Sequence, residues 1–193
     1  MKYGDAIRAL HVWLDAQRDY DRLIGISAGV VQGDQLLWSA GFGSLDALGT
    51  VSTKADTIYS IGSISKLFTS IAVMQLVEAG KLRLDDELTS LVPHLTPPRA
   101  LKGGGPITIR NMLTHSSGLP SEGDSPGFEG PDFRFPTQAE LRLQFAQLTS
   151  LQRSGVRYLY SNFAMSLLAE VIESATGQRY EEYVHQHVLV PSV

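Results

Sequence analysis

The sequence predicts an α+β protein, with an N-terminal helix and β-hairpin in residues 1–60 and a helical lobe in residues 61–193. The hairpin is predicted because two short apolar segments, residues 24–31 and 35–40, are joined by a Gln-Gly-Asp turn. The lobe is predicted because apolar residues after position 63 recur at helical spacing, with capping residues before several segments. The chain is long enough to bury a real hydrophobic core.

The composition excludes several classes of protein. Of the 193 residues, 43% are hydrophobic and 19% are charged, which is ordinary for a globular protein. The net charge of −4 and the scattered basic residues do not indicate a nucleic-acid surface or a polybasic membrane patch. The absence of cysteine excludes disulfides, thiolate chemistry and cysteine-ligated zinc. No signal peptide or membrane span is predicted, so the location stays open, with the cytoplasm slightly favoured over the periplasm.

The remaining elements are predicted, in chain order, from periodicity, caps and helix breakers. An amphipathic helix covers residues 5–20. Residues 63–79 form a helix that is apolar on nearly every side and ends at Gly80, and we expect it to be buried. The later helices are residues 88–92, 109–114 with Thr108 as cap, 138–148 with a Thr137–Glu140 capping box, 163–175 between Asn162 and Gly177, and 180–187.

Three connecting segments also carry predictions. Residues 119–136 are rich in proline, glycine and acids, and we interpret them as a long functional loop. Its phenylalanines, Phe128, Phe133 and Phe135, either line a pocket for the substrate side chain or pack the loop against the body. The three glycines at 103–105 indicate a flexible connection, and the acidic pair at 85–86 is predicted to cap a short helix.

Ser63 and Lys66 are the first candidates for catalysis. They stand three residues apart at the start of the apolar helix, so both side chains lie on one face. A serine hydroxyl is a poor nucleophile unless a neighbour removes its proton, and a lysine in a dry pocket can do so. The N–H groups at the start of the helix favour a developing oxyanion. We therefore predict Ser63 as nucleophile and Lys66 as its base.

Tyr160 and Asn162 are the second pair of candidates. A tyrosine near an ammonium group can have its pKa lowered enough to exchange protons with a serine or a leaving group. An asparagine amide can hold that lysine and a substrate carbonyl together. On this tripeptide alone, a buried tyrosine followed by a helix cap explains the pattern better.

In combination, these motifs resemble the serine β-lactamase and penicillin-binding-protein family, in particular its class C β-lactamase and esterase branch. The matching stretches follow the family's order and are residues 60–69, 76–86, 107–119 and 160–177. The resemblance implies a β-lactamase/DD-peptidase-like fold, in which an antiparallel sheet packs with a helical lobe. No metal or organic cofactor is implied.

The resemblance also implies roles for individual residues. Ser63 is implied to be the acylated nucleophile, and Lys66 its proton partner. Tyr160 is implied to act as general acid and base, and Asn162 to orient the substrate. The backbone N–H of Ser63 is implied to be one oxyanion donor.

The sequence departs from the family pattern in one respect. Family members carry a third motif, Lys-Thr-Gly or His-x-Gly, on a late strand that supplies the second oxyanion donor, and this sequence has none. We therefore expect the N-terminal part of such a domain, with only the hairpin of its sheet. Losing one oxyanion donor costs roughly 10²–10³ in rate. We expect a partner segment, an oligomer that covers the open sheet edge, or a weakened enzyme.

Two rival patterns are weaker. Residues 25–29 match Gly-x-Ser-x-Gly, but this nucleophile elbow needs a strand before the serine and a helix after it. Here the motif lies inside a predicted strand, so small residues where a helix crosses the sheet explain it better. His185 and His187 point to different faces of a helix, which disfavours a shared metal. The resemblance makes His115 structural rather than catalytic.

The sequence therefore predicts a serine hydrolase that acts through an acyl-enzyme on a small-molecule substrate. β-Lactams, D-Ala-D-Ala peptides and carboxylic esters all remain open as substrates. The alternative is a catalytically weak or silent protein that binds penicillins or peptides, which the missing third motif favours. The complete set of four candidate side chains favours the enzyme, because a binding protein does not need all of them.

Overall fold

The computed structural model describes residues 3–98, 105–123, 134–148 and 151–192. Within it the chain forms two compact units, Met1–Ile61 and Gly62–Val193. Most of the predicted functional loop, including Phe128 and Phe133, lies outside the described residues, as do two of the three glycines at 103–105. Phe135 is described, and its side chain is exposed.

The N-terminal unit contains the predicted helix and hairpin. Helix α1 spans Gly4–Tyr20, and strands β1 (Gly25–Gln32) and β2 (Gln35–Gly43) pair antiparallel. The two-residue turn between the strands places Gly33 at a φ of +58°, a left-handed conformation that glycine adopts without steric cost. The prediction of a hairpin at this position is confirmed.

The Gly-x-Ser-x-Gly pattern belongs to this sheet and not to a nucleophile elbow. Ser27 lies within β1, and its hydroxyl donates to the carbonyl of Lys54 across 2.6 Å. A side chain at Gly25 would collide with Thr53 and Ser44, and one at Gly29 would contact only residues of β2. Gly25 therefore admits the chain at positions 44 and 53, and the expected helix crossing at these glycines was wrong.

The described part of the C-terminal unit consists of helices joined by turns and irregular segments, with an isolated β-bridge between Glu87 and Thr108. A 3₁₀ turn at Gly62–Ile64 leads directly into helix α2. The α-helices are α2 (Ser65–Glu78), α3 (Leu88–Leu91), α4 (Ile109–Leu113), α5 (Gln138–Gln147), α6 (Asn162–Thr176) and α7 (Tyr180–Val184). After α7 the chain continues as a π-helical turn and a short 3₁₀ turn.

Helix α2 is only half buried, which corrects the expectation from its composition. Its buried residues are Thr69, Ala72, Val73 and Leu76, and this stripe packs towards α6. The opposite face is also apolar but exposed, at Ile64, Leu67, Ile71 and Met74. A helix needs only one stripe in the core, so an all-round apolar sequence does not determine burial on both sides.

The helix caps follow the sequence with two corrections. Thr108 and Thr137 each form the capping box that their spacing predicts. The cap of α6 is Ser161, whose hydroxyl accepts from the N–H of Ala164, and not Asn162, which is the first residue of the helix. The acidic pair at 85–86 does not cap α3, because Asp85 pairs with Arg110 and Glu87 holds the N-cap position.

The core of this unit surrounds α6, and among the described residues it contains one buried charged side chain. Glu170 of α6 is 2% exposed, and Arg142 of α5 donates two hydrogen bonds to it, at 3.0 and 2.8 Å. The Nε2 atom of His94 lies 3.1 Å from the same carboxylate. This bidentate pair ties α5 to α6 through the interior.

Two features are absent from the described residues. None of the helices in residues 3–98, 105–123, 134–148 and 151–192 is long and apolar enough to cross a membrane. The same residues contain no group of three or more histidine or acidic side chains that could hold a metal ion.

Candidate active site

The hydroxyl of Ser63 lies at the meeting point of two proton-carrying side chains. Lys66 Nζ donates to Ser63 Oγ across 3.0 Å, and Tyr160 Oη donates to the same atom across 2.8 Å. Lys66 Nζ also lies 4.8 Å from the centre of the Tyr160 ring. The structure therefore brings three of the four predicted site residues into direct contact.

The 3₁₀ turn before α2 presents Ser63 to solvent. Gly62 has a φ of +52°, which lets the chain turn sharply before the serine. The sequence position of Ser63 predicts that it lies in the first turn of the α-helix. In the structure it lies in the 3₁₀ turn that precedes the helix. Lys66 follows three residues later, so its side chain extends back along the same face to the hydroxyl.

Tyr160 is held beside Ser63 by a second pair of chain segments. The N–H of Leu159 donates to the carbonyl of His115 across 2.7 Å, and Gly155 N–H donates to the carbonyl of Ser116 across 2.8 Å. Gly118 has a φ of +77°, and a side chain there would collide with the carbonyl of Gln152. The turn after α4 thus fixes the segment that leads into Tyr160.

His115 supports Tyr160 directly. It has a φ of +53°, unusual for a residue with a side chain. Its Nδ1 accepts a hydrogen bond from the buried backbone N–H of Ser161 across 3.2 Å. Its ring packs on the ring of Tyr160, with the centres 4.5 Å apart and the planes 36° apart. His115 therefore fixes both the backbone and the ring of the Tyr-Ser-Asn segment.

Asn162 opens α6 next to a carboxylate. Its backbone N–H donates to the carbonyl of Ser121 across 2.8 Å, and its side-chain amide donates to Glu122. The Ser161 hydroxyl also donates to the carbonyl of Pro120 across 2.6 Å. Within the described part of the chain, no hydrogen bond joins Asn162 to Lys66.

The electrostatics of the site act on two groups. The pKa of Tyr160 is lowered below 10, first by its interaction with Lys66 and then by that with the Ser63 hydroxyl, while the negative charge of Glu122 opposes this change. The pKa of His115 is lowered below 6.5, first by burial and then by the charge of Lys66. At neutral pH, His115 is therefore uncharged and can accept the hydrogen bond from Ser161.

The sequence did not indicate that His115 and Glu122 belong to this site. The only signal was the position of His115 in the stretch that matches the family pattern, and that stretch was interpreted as structural. Glu122 falls in a predicted loop, where spacing carries no information about which side chain it meets.

Comparison with known proteins identifies the class of protein. The Beta-lactamase family model matches residues 13–192, so the chain belongs to the beta-lactamase family. The D-alanyl-D-alanine-carboxypeptidase/endopeptidase AmpH of Escherichia coli K12 is 30% identical over 171 residues, covering 86% of this chain and 43% of that protein. Esterase EstB of Burkholderia gladioli is 32% identical over 170 residues, covering 81% of this chain and 42% of that protein.

A solved structure supports the same assignment. The octameric penicillin-binding protein homologue from Pyrococcus abyssi has a TM-score of 0.75 to this chain and is 31% identical to it. The match covers 96% of this chain and 42% of that one. The fold is therefore of the β-lactamase/DD-peptidase type, as the sequence had implied. The chain spans about two fifths of the length of these relatives.

Proposed function

We propose that this protein is a serine hydrolase in which Ser63 forms an acyl-enzyme. The observation that carries the proposal is the double contact of Ser63 Oγ, with Lys66 Nζ at 3.0 Å and Tyr160 Oη at 2.8 Å. A serine that serves only to begin a helix has no need of two such neighbours. Nucleophilic catalysis by serine requires a neighbouring group that can take the hydroxyl proton, and this hydroxyl has two candidates.

The lowered pKa of Tyr160 supports a role for it as the base. In the acylation step, the phenolate of Tyr160 takes the proton of Ser63 as Oγ forms a bond to the substrate carbonyl carbon. The π electrons of the carbonyl move to its oxygen, and the backbone N–H of Ser63 is the proposed donor to that oxyanion. Lys66, which the sequence alone predicted as the base, is proposed instead to stabilise the phenolate as a cation, because its Nζ donates to Ser63 Oγ and lies 4.8 Å from the centre of the Tyr160 ring.

The second half of acylation returns the proton. The oxyanion collapses, the bond from the carbonyl carbon to the leaving oxygen or nitrogen breaks, and Tyr160 donates its proton to that leaving group. Water then attacks the acyl carbon as the Tyr160 phenolate takes its proton. The second oxyanion collapses, the bond from the acyl carbon to Oγ breaks, and Tyr160 returns the proton to Ser63 Oγ as the acid is released. Asn162 is proposed to orient the substrate beside these groups.

The proposed substrates are carboxylic esters, D-Ala-D-Ala peptides and β-lactams. The two relatives compared above support the first two classes, because one is named as an esterase and the other as a D-alanyl-D-alanine carboxypeptidase. All three substrate classes present a carbonyl carbon with a leaving group, which is what the proposed reaction requires.

Turnover of one representative of each class tests the proposal. We expect the purified protein to hydrolyse p-nitrophenyl butyrate, a D-Ala-D-Ala peptide or a chromogenic cephalosporin, and Ser63→Ala to abolish that activity. A folded protein that binds these compounds reversibly, without hydrolysis or acylation, would support the silent binding protein instead.

We also propose that the chain self-associates. Helix α2 and the turn before it expose an apolar row, Ile64, Leu67, Ile71 and Met74, and the relative from Pyrococcus abyssi is described as octameric. Light scattering of the purified chain tests this, and a monomer at all concentrations contradicts it. Ile71→Glu should lower the assembled fraction if α2 is the contact.

A further inference from the structure

Glu122 brings a negative charge to the proposed site. Its carboxylate accepts a hydrogen bond from the side-chain amide of Asn162, and its charge acts on the pKa of Tyr160. Among the described residues it forms no ion pair with a lysine or arginine. Its field therefore acts on whatever molecule binds beside Asn162.

The backbone around Glu122 is held in place. The carbonyl of Ser121 accepts two hydrogen bonds from the start of α6, from Asn162 N–H at 2.8 Å and Phe163 N–H at 3.2 Å. Gly123, the next residue, lies against the flexible end of the Gln144 side chain on α5. The carboxylate is thus carried by a segment that is hydrogen-bonded to the start of α6 through Ser121.

We propose that Glu122 selects substrates by charge, favouring acyl groups that carry a positive charge over those that carry a negative one. This inference rests on the proposed function, because it concerns the substrate of the same site. The chemical class it names is an ester or amide whose acyl part bears an ammonium group. Acyl parts that end in a carboxylate are disfavoured by the like charge of Glu122.

The expected size of the effect follows from Coulomb's law. For unit charges about 6 Å apart, an effective dielectric constant of about 40 to 80, as in a solvent-exposed site, corresponds to a rate difference of about 3- to 10-fold. The effect should weaken with added salt, because the screening length is about 10 Å at 0.1 M ionic strength.

The positive charge of Lys66 acts in the opposite sense on the same substrates. The order of preference in the wild-type protein therefore combines both charges. Replacing Glu122 removes only its carboxylate and leaves Lys66 in place. The direction in which the substrate preference shifts therefore does not depend on Lys66. Any effect of Glu122 on the pKa of Tyr160 alters all substrates equally and cancels in a ratio of their rates.

The test uses three p-nitrophenyl esters that differ in the end of the acyl chain. One carries a trimethylammonio-butyryl group, the second the tert-butyl-butyryl group in which carbon replaces nitrogen, and the third a hemiadipate. We expect Glu122→Gln to lower the kcat/KM ratio of cationic to neutral ester by about 3- to 10-fold, and to raise the anionic to neutral ratio similarly.

Two control variants separate charge from other causes. Glu122→Asp keeps the charge and should keep both ratios within about 2-fold of wild type. Glu78→Gln removes the same charge from the far end of α2, about 18 Å along the helix from Lys66, and should also leave both ratios unchanged. If Glu122→Asp behaves like Glu122→Gln, or Glu78→Gln does, selection by the charge of Glu122 is overturned.

The outcomes also separate this inference from the proposed function. If the neutral ester is hydrolysed through Ser63 while Glu122→Gln leaves both ratios unchanged, the charge selection is wrong and the hydrolase stands. If the folded protein neither releases p-nitrophenolate nor gains an acyl group from any of the esters, the proposed function fails and the inference fails with it.

Discussion

The hydroxyl of Tyr160 donates a hydrogen bond to Ser63 Oγ across 2.8 Å, although the two residues are 97 positions apart in the chain. The packing of α2 on α6 and the turn at His115 bring them together. The site is therefore assembled by the tertiary structure of the C-terminal unit, and changes in that packing should alter the chemistry at Ser63.

Replacing Tyr160 by phenylalanine tests its role as proton carrier. We expect the acylation rate to fall by about 10²- to 10⁴-fold, because the hydroxyl is lost while the ring and its contact with His115 remain. The burst of p-nitrophenolate from an activated ester measures this step, and urea unfolding checks that the fold is kept. A fall of less than about 3-fold would exclude Tyr160 as the main base.

The pH dependence of acylation should report the ionisation of Tyr160. The phenolate is the proposed base, so kcat/KM should rise with pH through the pKa of Tyr160, which lies below 10. The charge of Glu122 raises that pKa, so Glu122→Gln should move the rising limb to lower pH. A limb that stays in place or moves to higher pH would contradict this assignment.

Much of this architecture could be predicted from the sequence because it depends on local patterns. The hairpin turn at Gly33, the capping boxes at Thr108 and Thr137, and the contact of Ser63 with Lys66 all follow from residues a few positions apart. The family resemblance added Tyr160 to the predicted site. No local sequence pattern could indicate its contact with Ser63.

The errors occurred where long-range packing decides the outcome. Residues 64–74 are apolar on both faces of α2, and only tertiary contacts determine which face is buried. Ser161 and Asn162 are both good capping residues, so the residue types alone could not decide which of them is the N-cap of α6. His115 and Glu122 reach the site through loop geometry that single-sequence patterns do not encode.

His115 should contribute to stability through the acceptor it offers to the buried N–H of Ser161. His115→Ala leaves that donor unpaired and should cost about 1–3 kcal/mol in urea unfolding. Asparagine tolerates a positive φ and offers an acceptor oxygen, so His115→Asn should recover most of the loss. Equal losses in the two variants would show that the hydrogen bond is not the cause.

The ring of His115 should contribute separately to catalysis. His115→Asn keeps an acceptor but loses the packing on Tyr160, so we expect acylation to slow by about 10-fold with little loss of stability. An unchanged acylation rate would show that the ring does not position Tyr160.

Protonation of His115 should destabilise the protein in acid. Its pKa is lowered below 6.5 in the folded state, so the unfolded chain binds the proton more tightly. The stability contributed by neutral His115 is therefore complete above pH 6.5 and is lost as pH falls from there towards the lowered pKa. His115→Asn should remove this part of the pH dependence, and an identical acid profile in both proteins would contradict it.

The pair of Arg142 with Glu170 should be strongly asymmetric in its effect on stability. Arg142→Met leaves the buried carboxylate without its bidentate partner and should cost about 3–5 kcal/mol. Glu170→Leu in the same chain removes the unpaired charge, so the double variant should recover much of that loss.

The exposed pair of Arg110 with Asp85 is the matched control for this experiment. Arg110→Met should change the urea midpoint little, because both partners of that pair are solvent-exposed. Two results would contradict this account. One is that the stability losses of Arg142→Met and Glu170→Leu simply add in the double variant, and the other is that Arg110→Met costs as much stability as Arg142→Met.

The most direct test of the central claim is the intact mass of the protein after brief exposure to an activated ester and, separately, to a reactive penicillin. We predict a mass increase equal to the acyl group or to the whole penicillin, located on Ser63 by peptide mapping and absent in Ser63→Ala. An adduct that persists in Ser63→Ala, or a folded wild-type protein that is never acylated, would contradict the assignment of Ser63 as the nucleophile.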